Sequence, residues 1–164
     1  MRVDYIIPTI YRETLDRTKK SIRQENVDYN IMTCGTGNSA SQNRNKCLLE
    51  VKESDWIVFV DDDDYLIKGH SEELDDNYDI VVFRMKNEEH DLIIPRLEDE
   101  ELRWGNIGIN FAIKTDFWLN NKIRFDDGGT SEDWRFMVQV MKRTNKIKIT
   151  EKIYYIVPKL GRNK

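Results

Sequence analysis

Apolar and polar positions alternate in short blocks along the chain, and the blocks predict its elements. VDYIIP (3–8) is a short, apolar, β-branched run closed by Pro8, which reads as a buried strand. ETLDRTKKSIRQE (13–25) predicts a polar helix anchored chiefly by Leu15 and Ile22, and YNIMTC (29–34) a second strand. CGTGNS then leads into a helix with Ser39 or Asn38 as N-cap, whose inner face carries Ala40, Cys47, Leu48 and Val51. WIVFV (56–60) has no polar interruption, so both its faces are expected to be covered, as in a parallel sheet with helices on each side. DIVVFRM (79–85) repeats that pattern. Strand, helix, strand, helix, strand, strand is an α/β layout.

Beyond residue 85 the pattern changes. Residues 86–105 are charged and weakly periodic, which predicts loop plus a short strand at LII (92–94). IGINFAI (107–113) reads as a strand and TDFWLNN (115–121) as a short helix. TSEDWRFMVQVMKRTN (130–145) is amphipathic, with Trp134, Met137, Val138 and Met141 at helical spacing. KIKITEKIYYIVP supplies one or two closing strands.

Length and charge narrow the class. A chain of 164 residues makes one domain, 1–164, with a genuine core. Its 26 basic and 30 acidic residues leave a formal charge of −4, which gives no support to stable nucleic-acid binding. Cys34 and Cys47 are the only cysteines; lacking CxxC spacing, they suggest free thiols in a reducing compartment and no metal cluster. Met1 to Arg12 lacks a signal-peptide pattern and no run is long enough to span a membrane, so a cytoplasmic protein is expected. His70 and His90 have no partner at ligand spacing and read as surface residues.

The candidate chemistry lies in carboxylates. WIVFVDDDDYL places four consecutive aspartates, Asp61 to Asp64, where a buried strand empties into solvent. Two like charges about 4 Å apart repel by about 4 kcal/mol at an effective dielectric of 20. A hard divalent cation would remove that cost. Alternate side chains of an extended segment share a side, so Asp61 and Asp63 converge while Asp62 points elsewhere. Ligands of open α/β sheets bind beyond such strand ends. The plainer alternative is a solvated acidic turn.

GGTSEDWRF (128–136) is the second constellation. Thr130 or Ser131 caps the helix, and Glu132 and Asp133 stand in its first turn, where the macrodipole favours acids. Capping alone explains them, yet the helix start also projects a carboxylate forward, so Asp133 is a candidate general base. CGTGNS is a third candidate, for anions at a helix start. Without the P-loop pattern, a plain strand-to-helix turn accounts for it better.

Three stretches carry a resemblance. RVDYIIPTIYRETL is similar to an opening strand and loop of the form IIPTYNR; NSASQNRNKCLLEVKESDWIVFVDDDDYL to a helix with an ARN-G-like core followed by a strand ending in a DXD motif; and IRFDDGGTSEDWRFMVQVMKRTNKIKITEKIYYIV to the stretch carrying an ED motif. In this order they resemble the family 2 glycosyltransferases of the GT-A fold. The resemblance implies a Rossmann-like, mostly parallel central sheet with helices on both faces and a small antiparallel C-terminal element. A nucleotide and metal half would occupy about 1–85 and an acceptor and catalytic half about 86–164.

The implied reaction is inverting transfer of a sugar from a nucleotide-diphosphate sugar donor to a glycan or other acceptor hydroxyl. Mn²⁺ or Mg²⁺, held by Asp61 and Asp63 with Asp63 the main contact, would act as a Lewis acid on the leaving diphosphate. Asp61 and Asp62 would touch the ribose or the metal shell. Pro8, Thr9, Tyr11 and Arg12 match the loop bordering the nucleotide, and Arg44 matches a nucleotide-contacting arginine. Asp133 would take the acceptor proton, ionised at its helix N-terminus, with Glu132 supporting it. The chain departs from the pattern in having Ile10 where an aromatic is usual, in having IMTCGTG where a VDDGS segment is common, and in lacking one strand–helix unit before the DXD strand. A C-terminal metal-binding histidine is also absent, and Lys159 and Arg162 would meet the diphosphate instead. Two rivals stand beside this reading: a degenerate nucleotide- or metal-binding module of the same fold, and a sugar nucleotidyltransferase. The latter is disfavoured because IIPTIYRET has no glycine for a phosphate loop.

Overall fold

The computed structural model describes residues 1–159. In chain order its elements are β1 (Arg2–Pro8), α1 (Leu15–Ile22), β2 (Asp28–Cys34), α2 (Ala40–Leu48), β3 (Trp56–Phe59), β4 (Tyr65–Leu66), a 3-10 turn (His70–Glu73), β5 (Ile80–Asn87), β6 (Leu92–Ile94), β7 (Phe111–Lys114), α3 (Thr115–Asn121), α4 (Glu132–Met141) and β8 (Ile147–Val157). The strands form one sheet ordered β2-β1-β3-β7-β5-β8-β4, with β6 pairing β5 at its side.

β1 lies parallel between β2 and β3, and α1 and α2 are the crossovers, as the first half of the sequence predicts. The second half is mixed. β7 inserts antiparallel between β3 and β5, β8 runs parallel to β5, and β4 runs antiparallel to β8. β3 and β5 are nevertheless buried along their lengths, apart from the last residues of β5. A continuous apolar run reports that both faces are covered, and an antiparallel neighbour satisfies it as well as a parallel one. β2 forms one edge of the sheet.

Several boundaries differ from the sequence expectation for local reasons. β7 begins only at Phe111, because the fully buried Asn110 turns the chain before it: its Oδ1 accepts from Gly108 N at 2.8 Å and its Nδ2 donates to Phe83 O. α2 ends at Leu48, and Ala40 is exposed at its start while Cys47 and Leu48 are buried. In α4 the buried face is Phe136, Met137 and Val140, with Trp134, Val138 and Met141 only partly covered. The helix is turned to stack Phe136 on Phe125, ring centroids 4.2 Å apart, and on Phe111 at 5.5 Å. Aromatic pairs add to the area they bury, so this stack outweighs the next-best apolar stripe.

Two expectations are corrected. Cys34 and Cys47 are not free thiols but a disulfide joining the end of β2 to α2, so the reducing compartment inferred from them loses its basis. His70 is fully buried rather than on the surface. Tyr5 Oη and His70 Nε2 are 2.7 Å apart, and Glu25 Oε1 lies 3.4 Å from its Nδ1. Burial lowers the His70 pKa, with Glu25 pulling the other way. The polar trio is hidden because the turn after α1 delivers Glu25 to the backbone N–H groups of Gly69 and Ser71, a pairing across the chain that no local spacing reveals. His90 is exposed, as expected. Among the described residues no helix is long and apolar enough to cross a membrane.

Candidate active site

The four aspartates follow β3 as a tight turn, closed by the bond from Asp64 N to Asp61 O, and each faces a different partner. Asp61 Oδ1 accepts from Arg44 Nη2 at 2.6 Å. Asp62 is buried and its Oδ2 accepts from Thr9 Oγ1 at 2.8 Å and Ile10 N at 3.1 Å. Asp63 Oδ2 pairs with Arg12, and its carbonyl accepts from Arg17 Nη2 at 2.6 Å. Asp64 turns into the core, where Tyr155 Oη donates to its Oδ2 at 2.7 Å and itself accepts from Asp61 N at 3.1 Å. The alternation expected of an extended segment is therefore replaced by a turn. It gives every carboxylate a donor, with Arg12 near both Asp62 and Asp63, while burial and the neighbouring acids still raise Asp63 and Asp64.

Burial, then the neighbouring Asp61, pushes the Asp64 carboxyl up to about 8. That value keeps it protonated at neutral pH and removes one charge from the run. Asp63 is also raised, by burial against the opposing pull of Arg12.

Arg44 connects this turn to α4. The side chain is 2% exposed, stacked at 5.2 Å over the Phe125 ring. While Nη2 holds Asp61, Nη1 lies 3.2 Å from Glu132 Oε1 and 3.5 Å from Asp133 Oδ1. Burial opposes its charge, but Asp61 and then Asp133 outweigh it and hold the pKa above the ordinary arginine value. One guanidinium thus spans the two acidic constellations, 17 and 88 residues away along the chain.

Asp133 stands in the first turn of α4. Ser131 occupies the N-cap position with a left-handed φ of 68°, but its side chain makes no capping bond, so the expected cap by Thr130 or Ser131 is not formed. The turn is held instead by Arg135, which clasps Asp126 through Nε at 2.7 Å and donates from Nη1 to Thr130 O. Asp133 Oδ1 is enclosed with no hydrogen bond. Burial first, against the pull of Arg44, pushes its carboxyl up to about 7. The helix N-terminus was expected to keep it ionised; burial and its acidic neighbours Glu132 and Asp61 instead place it near neutrality.

A cleft of about 370 Å³ opens beside the acidic turn. Pro8, Thr9, Ile10 and Arg12 form one wall, Gly37, Asn38, Ser39, Ala40 and Asn43 another, and Asp61, Asp62 and Asp63 the floor. The volume suits a small-molecule ligand, such sites being roughly 300–1,000 Å³. Tyr11 and Arg44, grouped by sequence with the nucleotide contacts, are not among its lining. Tyr11, with φ of 60°, lays its ring on Gly35, where an added Cβ would meet Tyr11 Cε2 at 2.8 Å and Thr9 O at 2.5 Å. Only glycine permits that approach. Arg44, Glu132 and Asp133 are grouped behind Asp61. The wall from Gly37 to Ser39 belongs to the CGTGNS turn, which sequence reading treats as a plain connection, and Ala40 begins α2; the glycines before a Ser-capped helix were the available signal. Ser39 does cap α2, accepting from Gln42 N at 3.1 Å. Lys159 meets Glu88 through its backbone N–H at 3.3 Å, and Arg162 lies outside the described residues.

Hard oxygen donors border the cleft at Asp61 and Asp63, whose described hydrogen bonds use one carboxylate oxygen each. Among the described residues no set of three or more His, Cys, Asp or Glu side chains gathers as a complete metal cage. Two carboxylates fit a Mg²⁺-type ion whose shell is completed by ligand phosphates and water.

No protein-family model matches the chain, and no curated protein matches it. Solved structures do. The S. aureus TarS 1–349 structure in complex with UDP-GlcNAc aligns over 97% of this chain and 59% of its own length, with TM-score 0.77 at 18% identity. The mannosyltransferase PcManGT from Pyrobaculum calidifontis, in complex with GDP-Man and Mn²⁺, aligns over 97% of this chain and 58% of its own, with TM-score 0.65 at 11% identity. A197 from STIV aligns over 92% of this chain and 82% of its own, with TM-score 0.61 at 20% identity. The chain has the GT-A fold. It spans about three fifths of the length of the TarS 1–349 structures. In this chain the acidic turn after β3 and the carboxyls at the front of α4 are joined through Arg44.

Proposed function

We propose that the chain is a metal-assisted, inverting glycosyltransferase using a nucleotide-diphosphate sugar. The observation that carries this reading is the Arg44 bridge, which holds Asp61 at 2.6 Å and Asp133 at 3.5 Å on opposite sides of one guanidinium. The nucleotide would lie in the cleft between Thr9–Arg12 and Gly37–Ala40, with its diphosphate over Asp61 and Asp63. Mn²⁺ or Mg²⁺ bound there would supply Lewis-acid stabilisation of the leaving diphosphate. The complexes of TarS with UDP-GlcNAc and of PcManGT with GDP-Man and Mn²⁺ support the donor class and the metal.

Asp133 is the general base of the proposal. A base works best with a pKa near the operating pH, and its value of about 7 meets that condition. The acceptor hydroxyl gives its proton to Asp133 as its oxygen bonds to the anomeric carbon. The bond from that carbon to the phosphate oxygen breaks, and its electron pair leaves with the diphosphate. Arg44 balances the charge of Asp133 as it ionises, and Glu132 helps hold Arg44 in place. Arg12, paired with Asp63, stands where it can follow the diphosphate.

The test is calorimetric titration of UDP and GDP with and without Mn²⁺, followed by hydrolysis of labelled nucleotide sugars. Metal-dependent binding that is lost in Asp63→Ala, with turnover lost in Asp133→Asn, supports the reading. Binding without turnover in the unaltered chain would instead favour a degenerate module, and unchanged nucleotide affinity in Asp63→Ala would remove the metal assignment.

A further inference from the structure

Asp127 lies outside the chemistry just described, yet it joins the two halves of the site. Its carboxylate accepts from Ser39 Oγ at 2.5 Å through Oδ1 and from Gln42 Nε2 at 2.6 Å through Oδ2. Ser39 is a wall of the cleft and the cap of α2. Asp127 itself sits on the glycine-bearing loop that runs directly into Glu132 and Asp133. That loop has little else to define it. Gly129 and Ser131 take left-handed φ of 91° and 68°, residues 126–131 are exposed, and an added Cβ at Gly129 would touch nothing within 4 Å. Its far end is fastened to α4 by the Arg135–Asp126 pair. Gln42 also accepts from Asn38 N at 2.8 Å, so the group that holds Asp127 holds a second wall residue.

We propose that Asp127 is a positioning residue. By bonding Ser39 and Gln42 it ties the loop that leads into Glu132 and Asp133 to the wall of the donor cleft, adding to the hold of Arg44 on that helix start, so that the general base keeps its place relative to the donor pocket. The proposal rests on the glycosyltransferase reading for its catalytic consequence, but the tie itself is independent of it. Arg44 of α2 reaches Glu132 and Asp133 in the first turn of α4, and Asn45 of α2 bonds Phe125 before the loop. Between those two anchors the exposed, glycine-bearing stretch is joined to α2 by the charge-assisted bonds of Asp127, across 88 and 85 residues of sequence. Displacing a catalytic group by about 1 Å costs on the order of 100-fold in rate, so a loosened loop shows first in kcat.

Two measurements on the full chain decide it. Amide hydrogen exchange of residues 127–133 is compared in the unaltered protein, Asp127→Ala, Gln42→Ala and Asp127→Asn. Exchange about tenfold faster in both alanine variants, with Asp127→Asn intermediate because it keeps an acceptor oxygen, supports the tie. Unchanged exchange in Asp127→Ala overturns it. Hydrolysis of a labelled nucleotide sugar is then followed in the same proteins. A fall in kcat of about 10- to 100-fold, with the donor KM within about threefold, is the expected split. An unchanged kcat overturns the positioning role even if the loop is loosened. If the unaltered chain neither binds nucleotide nor turns over, the glycosyltransferase reading fails, and the exchange experiment still decides whether Asp127 holds the loop.

Discussion

Arg44 Nη2 lies 2.6 Å from Asp61 Oδ1, and the same guanidinium reaches Glu132 and Asp133 with its other nitrogen. A 2% exposed arginine between three carboxylates is stable only as a set, because burying any one of these charges alone is costly. The contact therefore organises the site and also supports the fold.

Removing Arg44 leaves those acids facing one another. Arg44→Met is expected to lower stability by about 2–4 kcal/mol, somewhat below the fully buried case because the Asp61 side chain keeps 35% exposure. Arg44→Lys will not restore it, since an ammonium lacks the fork that reaches Asp61 and Glu132 together. Denaturant unfolding of both variants checks this, and a loss under about 0.5 kcal/mol, the scale of an ordinary surface substitution, would contradict it.

Turnover should report Asp133. With its carboxyl near 7, kcat/KM is expected to rise with pH and level off above that value, as the base becomes ionised. Asp133→Asn should lower the rate by about 10²–10⁴-fold and abolish the rising limb, leaving nucleotide affinity within about twofold. A limb that persists in the variant belongs to another group.

Asp64 gives a stability signature with the opposite sense to an ion-paired acid. Its folded-state pKa is raised from 3.8 to about 8, so the native state holds a proton that the unfolded chain releases. Its contribution is intact below the unfolded value, declines as pH rises through the interval from 3.8 to about 8, and is level above it. Asp64→Asn should flatten that interval in urea titrations taken at a series of pH values. An equal slope in the variant would place the effect elsewhere.

The Cys34–Cys47 bond closes a segment with a sequence separation of 13 that contains the cleft wall and reaches to Lys46 on α2. Reduction is expected to cost about 3 kcal/mol from loop entropy alone. Thermal melts with and without reductant measure the change. Thiol titration of the unfolded, unreduced chain should find no free thiol, and two free thiols would refute the bond.

Periodicity was informative wherever a single element explains its own burial. α3 spans the predicted 115–121, β6 the predicted 92–94, and β3 begins at the predicted Trp56, because apolar spacing and β-branching are local properties of the chain. The site was legible in part for a related reason: acids at a strand end and at a helix start sit at positions that any α/β fold exposes. Pro8, Thr9, Arg12 and Asp61 to Asp63, which the sequence motifs single out, line one cleft. His70 was misread because its partners, Tyr5 and Glu25, come from β1 and the turn after α1 rather than from neighbours at ligand spacing. The α4 face was misread because Phe125 and Phe111, which select Phe136, lie outside the helix.

By itself the sequence determined the succession of strands and helices up to β3, the burial of β1 and β3, and the presence of two acidic clusters at element ends. Hydrophobic spacing and turn chemistry act over a few residues and are written in consecutive letters. Tertiary structure alone decided that β7 runs antiparallel between β3 and β5, that Cys34 meets Cys47, that Asp64 turns into the core against Tyr155, and that Arg44 and Asp127 join α2 to the front of α4. These are encounters between groups tens of residues apart, and their energies depend on which charges and rings share one enclosed space, a quantity that exists only once the chain has closed around it.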